Sequence, residues 1–315
     1  MDIPRILVIT GPTATGKTAL GVLAARAFGG EVVSADSMQV YRGMDIGTAK
    51  PTIAEMGGIP HHMLDVVSPD EMFSAARYME LAVKCVDGIL SRGKLPVVVG
   101  GTGLYIDALI KNSSGFSPRD ENLRAILEKR YESEGAQTLY AELQKSDPER
   151  AAKLSPSDKK RVLRALEVYE LTGRTITEFD AETAALPPRY SADTWALNFS
   201  DRALLYSRIE RRVDKMLAGG LIDEVRLLME TAPDDATSMQ AIGYKELVLA
   251  LRSLITFDEA AEAIKRESRR YAKRQLTWLR RRSDVRWIIW DREPELDDFN
   301  AALCMIRQYL LSNNC

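Results

Sequence analysis

Over the first third of the chain, short apolar runs rich in β-branched residues alternate with longer stretches whose apolar residues recur every three or four positions. The runs at 6–10, 31–34, 63–67 and 95–99 read as strands, and 17–28 and 74–90 read as helices, with Gly29-Gly30 and Gly93 as stops. Strand and helix in alternation build a parallel sheet with helices on both faces. From about Phe116 the pattern changes. No strand is legible between Pro118 and Phe179, whereas 122–134, 136–145 and 158–171 have helical spacing. Ser155-Pro156-Ser157-Asp158 marks a helix start, Gly173 a stop and Leu186-Pro187-Pro188 a linker out. The strand-like run 194–199 returns the chain to the sheet. Helices follow at 202–218, 221–230, 245–254 and 257–280, and 287–290 is a late edge strand. The pattern predicts an α/β core from residues 1–115 and 190–315, interrupted by a helical insertion domain at 116–189.

Composition narrows the field without deciding it. The 315 residues are 45% hydrophobic and 28% charged, a globular balance and a length for two domains or one with an insertion. A net charge of -2 offers no bulk attraction for nucleic acid, so such a partner must be met by local patches. Cys85, Cys304 and Cys315 form neither a disulfide framework nor a zinc motif, which implies reduced thiols and a cytoplasmic protein. The apolar run at 6–9 is too short for a signal peptide core, and no run approaches the ~18 residues of a membrane span.

Gly11-Pro12-Thr13-Ala14-Thr15-Gly16-Lys17-Thr18 fits G-x-x-x-x-G-K-[ST] between a predicted strand and a predicted helix. Backbone amides at such a turn converge on an anion, Lys17 adds a charge, and the Thr18 hydroxyl can ligate Mg2+. A diphosphate or triphosphate is the expected ligand, on a P-loop NTPase-like parallel sheet core. A hydrolytic NTPase usually places an acid after a buried strand, yet the strand at 95–99 runs into Gly100-Gly101-Thr102-Gly103 with no carboxylate. Asp36 instead ends the second strand, on the edge where ligands bind in open α/β sheets, and is a general-base candidate or an ordinary turn residue. Asp45 and Asp65 are its rivals, and Thr102 either presents a hydroxyl to the ligand or sits in a turn.

Beyond the loop, residues 36–41 (Asp36-Ser37-Met38-Gln39-Val40-Tyr41), 43–51, 58–65, 100–105, 164–168 and 241–246 (Ala241-Ile242-Gly243-Tyr244-Lys245-Glu246) closely resemble the tRNA dimethylallyltransferases, or tRNA isopentenyltransferases, in the family's order. The resemblance spans 11 to about 282. It implies transfer of a dimethylallyl group from dimethylallyl diphosphate to the exocyclic N6 amine of the adenosine 3′ of the tRNA anticodon (position 37), with diphosphate leaving into the phosphate loop. An aromatic amine must shed a proton as it attacks, and Asp36 takes that role by resemblance. Lys17, Thr18 with Mg2+, and Arg212, with Arg208 beside it, would stabilise charge on the departing diphosphate. Thr102, Arg124, the segment Asp36 to Gln39 and the segment Gln240 to Lys245 resemble tRNA-contacting positions. So does Lys160-Arg161-Val162-Leu163-Arg164, where the family often has Gln in place of Lys160.

The bland reading of Arg208, Arg211 and Arg212 is a solvated helix face. The basic stretch 265–282 interleaves Tyr271 and Trp278, as a surface gripping a flipped-out loop base would, though those aromatics also fit a core-facing stripe. Adjacent His61 and His62 point to opposite faces of a strand, which argues for structural roles rather than a shared metal. A P-loop small-molecule kinase, an adenylate isopentenyltransferase and a non-catalytic RNA-binding switch are the competing readings. The helical insertion and paired basic patches favour tRNA. No zinc-finger extension follows the core, so a bacterial, cytoplasmic, monomeric form is expected, with no membrane partner.

Overall fold

A computed structural model describes residues 3–112 and 119–312. The expected start of the insertion at 116 and the thiol of Cys315 lie outside them. The elements run β1 (Arg5–Thr10), α1 (Lys17–Ala27), β2 (Glu31–Ser34), α2 (Ile53–Met56), β3 (His61–His62), α3 (Ala75–Ser91), β4 (Pro96–Val99) and α4 (Gly103–Ile110). Then come α5 (Glu121–Glu134), α6 (Ala136–Ser146), α7 (Pro148–Ala151), α8 (Lys159–Thr172) and α9 (Ile176–Ala185). The chain ends with β5 (Ser191–Phe199), α10 (Arg202–Ala218), α11 (Leu221–Leu228), α12 (Tyr244–Leu251), α13 (Phe257–Leu279), β6 (Val285–Trp290) and α14 (Leu296–Ser312).

Among the described residues the strands form one six-stranded sheet, ordered β3-β2-β4-β1-β5-β6, and every pairing is parallel. Crossover helices cover both faces of such a sheet, so its central strands lose the alternation of half-buried ones. Ile6, Leu7, Val8 and Ile9 of β1 are all buried completely. Residues on opposite faces of β1 enter two separate apolar clusters, Ile6 and Val8 one, Leu7 and Ile9 the other.

The chain divides into two compact units, residues 1–110 with 190–315, and 111–189. The second unit has its own core, in which Leu127, Leu139 and Leu143 pack with Val162, Leu163 and Leu166.

The third strand departs from the sequence reading. His61 pairs with Val32 and His62 with Val33, and the apolar run expected to be extended breaks at once because Met63 and Asp65 have φ of 65° and 55°. Val67 keeps only a single bridge to Tyr41; Met63 and Val67 are buried within a loop, and the apolar run alone made it look like strand. The edge strand β6 begins two residues before its expected start and pairs with β5 over its full length.

Both histidines have structural partners, as their alternation on a strand suggested. His61 Nδ1 lies 2.8 Å from the Ile59 carbonyl and His62 Nε2 lies 2.7 Å from Glu31 Oε2. Glu31, 3% exposed, also accepts from Arg92 at 2.7 Å and Lys94 at 2.9 Å. Burial opposes its charge, but hydrogen bonds from Lys94, His62 and Arg92 outweigh this and hold its pKa down at about 2. A depressed carboxylate stabilises the fold above its unfolded pKa and loses that contribution as pH falls through its folded one. Glu31→Gln should therefore cost about 2 kcal/mol at neutral pH. In chemical denaturation the gap to the parent protein should close as pH falls from 4.5 towards 2; a gap that persists at the acid end would refute the assignment.

Candidate active site

Three loops leave the carboxyl ends of adjacent strands and meet on one side of the sheet. Residues 11–18 follow β1, Ala35 and Asp36 follow β2, and Gly100 to Thr102 follow β4. Gly11 starts the phosphate loop at φ 140°, and a Cβ there would collide with the Leu197 carbonyl of β5. Gly16 caps α1 at φ 93° with no side-chain cap, and the first turn of the helix holds no acid. The helix thus presents uncompensated amides and its positive dipole end to the loop. Within the loop Thr15 Oγ1 donates to the Pro12 carbonyl at 2.9 Å and Lys17 Nζ to the same oxygen at 2.7 Å. Distant side chains brace it: Gln275 Oε1 accepts from the Thr13 amide at 3.0 Å, Arg208 Nε donates to the Ala14 carbonyl at 3.0 Å, and Trp290 Nε1 to the Thr15 carbonyl at 3.1 Å.

A cavity of about 320 Å3 opens beside the loop, lined by Thr13, Lys17, Thr18, Asp36, Arg212 and Tyr271 among others. Lys17 is half-buried and faces the Arg212 charge; its partial desolvation and that charge together outweigh the attraction of Asp36 and pull its pKa down to about 7. Burial lowers that of Arg212 too, against the pull of Asp36, and its guanidinium donates to the Thr48 carbonyl at 3.4 Å. Two basic groups share a half-buried site, an arrangement that an anion would relieve.

Asp36 fills both roles that its position allowed. Its Oδ1 accepts from the Met38 amide at 2.9 Å and the Gln39 amide at 3.4 Å, closing a turn, while the residue lines the cavity. Its rivals are spent elsewhere: Lys50 Nζ lies 2.5 Å from both Asp45 and Asp65. Thr102 does not itself line the cavity; its Oγ1 accepts from the Ser37 amide at 3.0 Å and lies 3.4 Å from the Ser37 hydroxyl.

Several expected tRNA contacts are committed within the protein. Ser37, Met38 and Gln39 line the cavity, but the Gln39 amide accepts from Ser34 and donates towards the Thr48 and Ala49 carbonyls. Gln240, Ala241, Ile242, Gly243 and Tyr244 form another wall. Tyr244 is fully buried and donates to Glu224 at 2.6 Å, so it is a structural wall; Lys245 lies outside the lining, 3.7 Å from Glu246. In the helical unit Val162 and Leu163 are corrected to core residues: both are wholly buried and leave no side-chain surface for RNA. Arg124 is held by Glu128 at 3.1 Å and Glu167 at 3.6 Å, and Arg164 by Glu167 at 2.9 Å. Lys160 and Arg161 are exposed and make no ion pair with any described residue.

The basic stretch on α13 is similarly divided. Lys265, Arg269 and Arg270 pair with Asp214, Glu210 and Glu267, and Arg282 with Asp107. Lys273, Arg274, Arg280 and Arg281 are exposed and have no ion-pair partner among the described residues. Tyr271 faces the cavity, whereas Leu279 is core. Arg208 lines a second cavity of about 940 Å3, which reaches the other flank of the phosphate loop and shares Lys17, Thr18 and Arg212 with the first. There Glu293 pairs with Arg208 at 3.1 Å and with Arg211. Sequence reasoning missed Gln275, Trp290 and Glu293, which lie more than 250 positions from the loop they serve; the glycine pair at 100–101, a sign of close approach, was the one available hint.

The fold and this site together define a P-loop NTPase-like α/β core with a helical insertion. Residues 39–282 match the IPP transferase family, and the chain belongs to it. The tRNA dimethylallyltransferase of Symbiobacterium thermophilum is 50% identical over 291 residues, 91% of this chain and 90% of that protein. That of Pelotomaculum thermopropionicum is 49% identical over 285 residues, 90% of each. The crystal structure of the full-length tRNA isopentenylpyrophosphate transferase from Bacillus halodurans superposes with a TM-score of 0.71 at 43% identity, covering 98% of this chain and 96% of that one. A eukaryotic dimethylallyltransferase captured acting on tRNA gives a TM-score of 0.84 at 30% identity, covering 99% of this chain and 80% of its own.

The depressed Lys17 predicts a pH signature. A bound diphosphate favours the ammonium, so binding above pH ~7 should take up a proton and weaken as pH rises, by up to about tenfold per unit. Calorimetry with inorganic diphosphate in buffers of different ionisation enthalpy measures that uptake. Lys17→Gln should lose it, leaving only the ligand's own titration; equal uptake by both proteins would rule Lys17 out.

Proposed function

We propose that the chain transfers a dimethylallyl group from dimethylallyl diphosphate to the N6 amine of the adenosine 3′ of the anticodon, position 37 of tRNA, releasing diphosphate. The observation that carries this reading is that a carboxylate, Asp36, and a basic phosphate cradle, Lys17 with Arg212, open on the same cavity. Family membership supports it independently.

In the reaction the adenine amine forms a bond to the allylic carbon as that carbon's bond to the diphosphate oxygen breaks. The amine's proton passes to Asp36, and the electron pair leaves with the diphosphate. Lys17, Arg212 and the amides at the start of α1 stabilise the charge that gathers there. Thr102, one residue past the cavity wall, holds the Ser37 amide and so the turn that carries Asp36. The Thr18 hydroxyl offers a hard oxygen donor of the kind Mg2+ accepts when phosphate oxygens and water complete its shell. Bound there, Mg2+ would add charge stabilisation to the leaving group.

RNA would be held by phosphate contacts from Lys160 and Arg161 on α8, from Lys273 and Arg274 on α13, and from Arg280 and Arg281 just past its end. None of these is neutralised by a described acid. Among the described residues no helix is long and apolar enough to cross a membrane, and a cytoplasmic, monomeric enzyme fits this reading.

The deciding experiment incubates the protein with Mg2+, dimethylallyl diphosphate and unmodified tRNA, then weighs the digested nucleosides, with AMP and ATP-only reactions alongside. A dimethylallyl mass gain on tRNA adenosine is expected; prenylated AMP or ATP turnover in its place would overturn the acceptor assignment. Asp36→Asn should lower turnover by roughly 10²–10⁴-fold with tRNA binding retained. Lys160→Ala with Arg161→Ala should weaken tRNA binding and reduce its salt slope by about 1.5, and an unchanged slope would remove that patch from the interface.

A further inference from the structure

We propose that Gln275 is a positioning residue whose single amide fixes the spacing between the diphosphate cradle and the loop on the acceptor side, a role that rests on the prenyl-transfer reading. The side chain, 7% exposed, comes from the 23-residue helix α13. Its Oε1 accepts from the Thr13 amide of the phosphate loop, and its Nε2 donates to the Gly101 carbonyl, each at 3.0 Å. The two loops follow the neighbouring strands β1 and β4, and no other side chain among the described residues hydrogen-bonds to both loops.

The network continues towards the proton acceptor. Next to Gly101, Thr102 holds the Ser37 amide, and Ser37 adjoins Asp36. Tyr271, one turn before Gln275 on α13, interacts with both Gln275 and Thr102. A run of contacts thus leads from the leaving-group cradle to the carboxylate, and Gln275 is its keystone.

The chemistry requires an amide. Thr13 supplies an N–H and Gly101 a carbonyl, so the bridging group must accept at one end and donate at the other, as a neutral carboxamide does. Glutamate would still accept from Thr13 but would set a carboxylate oxygen against the Gly101 carbonyl; leucine fills similar space and makes neither bond. Gly101 is shaped to match, because a Cβ there would collide with Nε2, far inside the 3.0 Å that real contacts keep. Misplacement of reacting groups by about 1 Å costs on the order of 10²-fold in rate while leaving each binding site intact.

The test measures kcat, KM for dimethylallyl diphosphate and tRNA affinity for the unaltered protein, Gln275→Leu, Gln275→Glu, Gly101→Ala and the Gly101→Ala/Gln275→Leu double variant. Absence of transfer by the unaltered protein would overturn the prenyl-transfer reading itself. Given transfer, Gln275→Leu should lose about 10–10²-fold in kcat with both binding constants within about threefold, and Gln275→Glu at least as much. Gly101→Ala should fall similarly, and the double variant should be no worse than either single one, since all break the same bridge. Unchanged kcat in Gln275→Leu, additive losses, or losses that appear in KM and thermal stability alone would each overturn the positioning role. If Gln275→Leu fails to fold, Gln275→Glu and Gly101→Ala decide the question on the same kcat-against-KM criterion.

Discussion

The site depends on keeping two basic side chains, Lys17 and Arg212, close together and half out of water. Neither carries an ionic partner of its own. Lys17 is satisfied by the Pro12 carbonyl and Arg212 by that of Thr48, neutral acceptors, and the pull of Asp36 offsets the charges only in part. Such an arrangement costs free energy in the empty protein and returns it when an anion arrives. The tight turn at Gly11, the uncapped start of α1 and the buried wall built around Tyr244 all hold this unfavourable pair in place.

Holding it takes more than the eight residues of the motif. Gln275, Arg208 and Trp290 each bond to a different residue of the loop, and the Phe299 ring lies 3.0 Å from where a Cβ on Gly16 would sit. A phosphate motif read in isolation therefore specifies a turn; the last third of the chain makes that turn rigid. Asp36 follows the same logic, with one carboxylate oxygen closing its own turn.

What was legible in the sequence shares a cause: it was local. The phosphate loop, Asp36 at a strand end, the return of the chain to the sheet and the opposed histidines all follow from neighbours within a few residues. The third strand was misplaced because burial, without backbone dihedrals, cannot tell a strand from a packed loop. Helix α9 was missed because it buries no side chain completely and so shows no apolar stripe, and its Thr175–Glu178 capping box went unread. Val162 and Leu163 entered the contact segment by resemblance to the family, although their own side chains face the core. Arg269 and Arg282 are neutralised by acids from α10 and α4, which no local pattern records, whereas the Arg270–Glu267 pair is local to α13.

Strand order also sets a schedule for biosynthesis. β1 is an interior strand whose neighbours are β4 and β5, and Arg5 aligns with Ser191. A ribosome working at roughly 5–20 residues per second needs on the order of 10–40 s to travel between them. Throughout that interval one edge of β1, apolar along most of its length, has no strand to pair with. Residues 111–189 are made in the same interval, and with a core of their own they can fold while the larger unit waits. The nascent chain thus carries an open β edge for much of its synthesis, the state in which chaperone protection against strand-to-strand aggregation matters most.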